Sequence, residues 1–285
     1  MSTEVTTAFV QQYSANVQML SQQMGSRLRD AVRVENMTGK NAFFDQVGKA
    51  TAQKRTTRHA DTPQIDTPHA RRRVSLVDYE YADLIDDQDK VRMLIDPTSA
   101  YAQAAAAAMG RAMDDEIIAS ALGTAFTGET GSTSTALPAG QQIADGSADM
   151  SLAKLREAKK ILDLADVDPS IPRYIACGPD QIEALLADTN VTSSDFNTVK
   201  ALVQGEVNQF MGFNFIRSER LVHDGTSREC YAYAQTAVGL ALPQDITVDV
   251  GPRRDKNNSM QVYVEMSLGA VRLEDEQVVQ ILCNE

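Results

Sequence analysis

The sequence predicts an α+β fold, on three observations. A long alanine-rich stretch at 98–122 has almost no helix breaker. The last 41 residues alternate apolar and polar side chains with the period of a strand. Between these two regions, short helical and short extended patterns take turns. With 285 residues and 43% hydrophobic composition the chain is long enough for one large or two medium domains.

In chain order, Val10, Tyr13, Val17, Leu20, Met24 and Leu28 recur at steps of three and four, which predicts a helix from Thr6 to about Val34. Its apolar stripe is narrow, so it needs a surface to dock on. From Phe43 to about Tyr81 a long polar hairpin is expected. Asp61-Thr62-Pro63 and Asp66-Thr67-Pro68 repeat a turn signal at its tip, and Arg71-Arg72-Arg73 leads into its return arm. Arms of about 15 residues would project on the order of 50 Å. Asp96-Pro97-Thr98-Ser99 starts the alanine-rich helix, expected to run to about Leu122 over roughly 36 Å.

Residues 123–149 hold five of the 16 glycines among many Ser and Thr, and predict a long, mobile loop. A helix follows at 151–164, then a buried strand at 171–177 closed by Gly178-Pro179, and a helix from Asp180 to Leu186. Phe213, Phe215, Leu221, Tyr231, Tyr233 and 238–242 supply short strands. Ile246, Val248 and Val250, then Met260 to Leu268, and finally Val279, Ile281 and Cys283 complete the β pattern.

Composition excludes several functions. Tryptophan is absent and aromatics are 6%, too few for a stacking platform on single-stranded nucleic acid. No apolar run approaches a membrane span, no N-terminal signal pattern is present, and a cytosol-like compartment is expected. Cys177, Cys230 and Cys283 lie 53 residues apart, a spacing that fits no metal or redox motif and predicts buried free thiols. The chain lacks a phosphate-binding loop, because Gly128-Glu129-Thr130-Gly131-Ser132 has neither the lysine nor the following helix. No G-x-S-x-G or H-E-x-x-H occurs, and of His59, His69 and His223 two lie in the polar hairpin. The acidic clusters Asp86-Asp87-Asp89, Asp114-Asp115-Glu116 and Glu274-Asp275-Glu276 read as solvated faces or as partners for basic residues, since adjacent side chains diverge. Catalytic, cofactor and metal residues are therefore expected to be none.

Charge is polarised. Residues 1–73 carry 11 basic and 6 acidic residues, whereas 74–285 carry 16 against 33. A basic arm on an acidic body favours self-association, with Val10, Tyr13, Val17, Leu20, Arg71, Arg72 and Arg73 as the inter-subunit contact candidates. Exposed pairs are individually weak, so reversing all three arginines to Glu is expected to block association while leaving thermal unfolding nearly unchanged.

The order of arm, hairpin, long helix, inserted α/β segment and returning strands resembles the major capsid proteins of tailed bacteriophages, whose fold is shared with herpesvirus shells. The resemblance rests on 152–158, on Arg173-Tyr174-Ile175-Ala176-Cys177-Gly178-Pro179, on 205–213 and on Leu268-Gly269-Ala270-Val271-Arg272, in their order and spacing. It implies an N-terminal arm at 1–42, an extended loop at 43–81 lying over a neighbouring subunit, a peripheral domain at 82–149 with 245–285, and an axial domain at 150–244. It also implies pentamers and hexamers in an icosahedral shell around double-stranded DNA, assembled in the host cytoplasm. A portal and a scaffold or cement protein would be partners. DNA would be enclosed without sequence-specific binding, and neither membrane nor cofactor would be involved. An encapsulin-like cellular shell and a carboxylate or metal-dependent hydrolase stay open as alternatives.

Overall fold

The structure is a computed structural model that describes residues 22–37, 39, 41–58, 61–62, 64–85, 98–187 and 209–285. Strands β1 (Arg33–Glu35), β2 (Asn41–Val47), β3 (His69–Ser75) and β4 (Val77–Ile85) precede helix α1 (Thr98–Leu122). Strands β5 (Ala125–Thr127), β6 (Thr133–Thr135) and β7 (Gln142–Ile143) lead to α2 (Leu152–Leu164), β8 (Arg173–Cys177) and α3 (Pro179–Ala187). The chain ends in β9 (Gln209–Phe210), β10 (Phe213–Arg217), β11 (Ser227–Ala234), β12 (Val238–Arg253), β13 (Ser259–Arg272) and β14 (Val278–Asn284).

Two compact units emerge. Of the described residues, unit 1 holds 22–25, 78–85, 98–111 and 244–266, and unit 2 holds those within 26–77, 112–243 and 267–285. Unit 1 buries Ile85 of β4, Ala105, Ala107 and Met109 of α1, and Val262, Val264 and Met266 of β13. The small α1 side chains let the helix be closely covered, and the β13 residues keep the expected two-residue alternation.

Unit 2 is built on a six-stranded sheet in the order β7-β14-β11-β8-β10-β9. Leu155, Ala158 and Leu162 form the buried face of α2, and Lys154 ties that helix to β14 by donating to the carbonyls of Ala148 (2.6 Å) and Leu282 (2.8 Å). Ser151 accepts the Lys154 amide at the helix start, as an N-cap should. The three cysteines sit on adjacent strands of this sheet and are free and buried, as expected. Burial pushes the Cys177 thiol up to about 12, so it stays protonated and inert.

Several expectations need correction. Within the described part of the expected N-terminal helix, 22–34, no α-helix forms: residues 29–31 form one 3-10 turn and 33–35 pair as β1 with Gly239–Ala241 of β12, a long-range contact that local periodicity does not encode. Residues 123–149 are not a long loop. Gly128 and Gly131, both at positive φ, turn the β5–β6 hairpin, and β5 adds to β3. Leu221 is buried but lies in a bend. The 43–81 hairpin is laddered only from Asn41↔Ser75 to Val47↔His69, about 23 Å of paired strand. Pro68 follows the ladder with its carbonyl on the Gly48 amide, and β4, with Tyr79 and Tyr81, belongs beside β13.

The hairpin root lies tightly against β13. A Cβ on Gly269 would collide with the Ser75 carbonyl oxygen and lie 2.9 Å from Val74 Cγ2. Backbone cannot yield as a side chain does, so Gly269→Ala is expected to lower stability by about 1–3 kcal/mol in urea unfolding. An unchanged midpoint would show that the root has slack.

Candidate assembly surface

The arginine triplet sits on β3, opposite β2. Strand alternation sends Arg71 and Arg73 one way and Arg72 the other. Arg71 Nε donates to Asp45 Oδ1 at 2.9 Å, and its guanidinium lies 5.2 Å from the centre of the Phe43 ring. Arg73 covers Phe126 at 4.8 Å. Both contacts are cross-strand neighbours that neutralise or cover the cations within the sheet.

Arg72 is different. It is 8% exposed, and it donates to the Leu273 carbonyl (3.0 Å) and to Asp275 Oδ2 (2.7 Å). Asp275 also accepts from Arg272 Nε at 2.6 Å. Arg272 is fully buried, and its remaining donors reach the carbonyls of Ala121 (3.1 Å), Gly123 (2.5 Å) and Thr135 (3.1 Å). One carboxylate thus joins two guanidiniums. The network ties the C-terminal end of α1, β6, the turn after β13 and the return arm of the hairpin into one piece. Gln46 on the outgoing arm donates to the same Leu273 carbonyl at 2.8 Å. Ala42, Phe44, Val74, Ala125, Ala241, Val271 and Leu273 pack around this anchorage.

Asp275, expected at a solvated or inter-subunit position, is therefore committed within the chain. The expectation of unchanged thermal unfolding in the triple arginine variant falls with it. Arg72→Glu places a carboxylate against Asp275 in a buried site and is expected to cost about 3–5 kcal/mol. Arg71→Glu should cost no more than about 1 kcal/mol, as exposed pairs do. Thermal melts of the separate variants check this, and equal losses would contradict the division of roles.

A second anchor holds the N-terminal segment. Asp114 on α1 is fully buried and accepts from Ser26 Oγ (2.5 Å), from the Arg27 amide (3.1 Å) and from the Leu28 amide (3.2 Å). It serves as a partner for the basic segment and not as a solvated face. Its neighbour Asp115 pairs with both nitrogens of the Arg220 fork, an exposed contact. Val10, Tyr13, Val17 and Leu20 lie outside the described residues, as do Asp86, Asp87, Asp89, His59 and 205–208.

A third cluster closes the C-terminal strand. Arg228 reaches Glu285 (2.5 and 3.1 Å) and Glu219 (3.0 Å), while Gln181 donates to Glu285 at 2.9 Å and His223 lies 3.3 Å from it. Burial raises the Glu285 carboxyl, but the Arg228 and Gln181 donors outweigh it and hold the group below its ordinary range. Among the described residues no group of three or more His, Cys, Asp or Glu is placed to hold a metal ion. Nor is any described helix long and apolar enough to cross a membrane. Sequence reasoning missed Arg272 and Asp114 as anchors. Arg272 belongs to no local cluster of charge and the Leu268–Arg272 stretch marks only its position, while the Asp114-Asp115-Glu116 cluster does not say which of its acids is interior.

These anchors tie the hairpin and the segment from Ser26 into the interior of unit 2 by buried ion pairs and hydrogen bonds. Against known families, the phage capsid protein family matches residues 5–285. This chain belongs to that family. The capsid protein is a structural component of the virion and not an enzyme. Comparison with curated protein sequences gives no significant match. Among solved structures, the capsid of Cyanophage P-SCSP1u is similar over 99% of this chain and 95% of that one, with TM-score 0.75 and 19% identity. A Mycobacterium phage Che8 chain aligns over 96% and 97%, with TM-score 0.73 and 16% identity. The acid-stable capsid of Helicobacter pylori bacteriophage KHP30 aligns over 100% and 98%, with TM-score 0.75 and 11% identity. The expected α+β tailed-phage capsid fold is thus the observed one.

Proposed function

We propose that copies of this capsid protein form the icosahedral head shell of a tailed phage, as pentamers and hexamers around packaged double-stranded DNA. The observation that carries the reading is the family match over 5–285. A shell covers a large area with one gene product by repeating heterologous contacts that close by symmetry. Each contact is allowed to be modest, because many act together at high effective concentration. Arms that reach a neighbouring subunit suit that task, since they add interface without enlarging the core.

In this reading 1–42 is the arm, with Val10, Tyr13, Val17 and Leu20 on a neighbour, and 43–81 is the extended loop. Residues 82–149 with 245–285 form the peripheral part and 150–244 the axial part. The ladder of β14 on β11, from Ser227↔Asn284 to Tyr233↔Val278, supports counting 278–284 with the axial sheet. Arg71 and Arg73, rather than Arg72, are the arginines left for a neighbour. A portal protein and a scaffold or cement protein are the remaining partners, and assembly takes place in the host cytoplasm.

Negative-stain microscopy of the expressed protein tests the reading: spherical shells are expected, and a small defined oligomer or open tubes would overturn it. The net charge of −12 also sets how the shell treats its cargo. A container that gripped phosphate would impede packing and release, and phosphate binding needs a basic footprint. Assembled protein should bind duplex DNA weakly in gel-shift titration at ~0.15 M salt. An affinity of order 10⁻⁸ M would show specific binding instead.

A further inference from the structure

We propose that the outward face of α2 at Arg156, Lys159 and Lys160 is the surface on which the subunit meets the phosphate backbone of duplex DNA. The inference rests on the shell reading and assigns the weak contact with the cargo to one helix.

Helix α2 divides its cations by position. Lys154, on the buried side, is committed to the carbonyls of Ala148 and Leu282. Arg156, Lys159 and Lys160 are spaced three and one apart, and at about 100° per residue they fall on one face. Arg156 and Lys160 are exposed and Lys159 is half-buried. Among the described residues, no hydrogen bond or ion pair of this chain holds any of the three. The acid that shares their face, Asp163, is already paired, since it accepts from Arg173 at 2.7 Å. Glu157 stands about 100° round the helix from Arg156.

This sets the trio apart from other cations of unit 2. Arg220 pairs with Asp115, Arg228 with Glu285 and Glu219, and Arg272 with Asp275. A chain with 39 acidic residues has ample means to neutralise three more cations, yet these stay together and unpaired. They line a recess of about 400 Å³ with Asp163, Leu164 and Met211. Leu164 is 74% exposed. With Met211 it offers apolar surface on which a deoxyribose can lie while the cations take the phosphates.

Spacing and magnitude both suit a duplex backbone. Side chains at i+3 and i+4 stand about 5–6 Å apart, so three heads reach neighbouring phosphates of one strand. Neutralising three phosphates gives a slope of about −2.7 in log K against log salt, roughly a fortyfold loss from 50 to 200 mM. Such a contact touches the cargo without gripping it, in keeping with weak binding at ~0.15 M salt. It is also independent of sequence, because phosphate carries none.

Titrating a fluorescent DNA duplex with full-length, unassembled subunits tests it. Arg156→Gln/Lys159→Gln/Lys160→Gln should lose at least about tenfold in affinity at about 50 mM salt and flatten the salt slope by about 2.7. The control Lys49→Gln/Lys54→Gln/Arg55→Gln removes the same charge from the extended loop and should bind within about twofold of wild type. Duplexes of unrelated sequence should give equal affinities, and both variants should keep the wild-type melting temperature. Wild-type subunits that ignore duplex at low salt, an α2 variant that binds normally, or a control that loses as much would each overturn the proposal. So would poly-glutamate binding this face more tightly than duplex, which would assign it to an acidic protein. Loss of shells with duplex binding intact would assign it to a neighbouring subunit and overturn the proposal as well. Wild-type protein that binds duplex through α2 yet forms no shells in negative stain would instead overturn the shell reading and leave the DNA contact standing.

Discussion

Replacing Arg272 with Leu is expected to cost about 3–5 kcal/mol, much of the stability of a typical domain. The guanidinium is fully buried, and it satisfies Asp275 together with the carbonyls of Ala121, Gly123 and Thr135. Removing it leaves those acceptors without their donors. It also leaves Asp275 with Arg72 as its remaining guanidinium partner among the described contacts. Buried acceptors stripped of a charged donor cost more than the bond they lost, because water cannot replace it. Arg272→Lys keeps the charge but offers one compact ammonium in place of a planar fork, so it should fall between Leu and wild type. Urea unfolding of the subunit measures all three. A Leu variant as stable as wild type would show that apolar packing can replace the network, as it does in some proteins with buried ion pairs.

That experiment also separates what the sequence discloses from what it conceals. Helix α1 is legible because a run of alanines has one low-cost conformation, and β13 because Val262, Val264, Met266 and Leu268 alternate with half-buried partners. The buried face of α2 is legible for the same reason. Arg272 is not, since its carbonyl acceptors lie 137 to 151 residues away along the chain and the nearby Asp275 alone does not mark it as interior. The short strands β5 and β6 escape notice because three residues show no period. β5 pairs with β3, more than 50 residues upstream, and β6 pairs with β5, so a distant strand supplies the reason for their conformation. The arginine triplet is legible, but strand alternation divides it. Only pairing can say which side of β3 faces inward.

The same distinction governs truncation of the N-terminal segment. From the periodicity alone, deleting residues 1–34 should leave a folded body that fails to assemble. With the segment in place the expected result changes: deletion of 1–34 should unfold the subunit or destabilise it severely, whereas deletion of 1–21 should leave it folded. Leu28, Ala31 and Val32 are 0%, 2% and 3% exposed, and they belong to the interior of unit 2. Burial of the Leu28 side chain alone contributes about 1.5–3 kcal/mol. Asp114 would lose the Ser26 hydroxyl and the Arg27 and Leu28 amides, leaving a fully buried carboxylate short of donors. Such a group costs several kcal/mol unless it takes up a proton. Strand β1 would vanish from β12, exposing the Gly239–Ala241 edge. Circular dichroism melts of the two truncations decide the point. If the 1–34 deletion melts with the full chain, the Asp114 anchor contributes nothing. If the 1–21 deletion melts with the full chain yet yields no shells, the segment before Gln22 works in assembly and the one after it works in the fold.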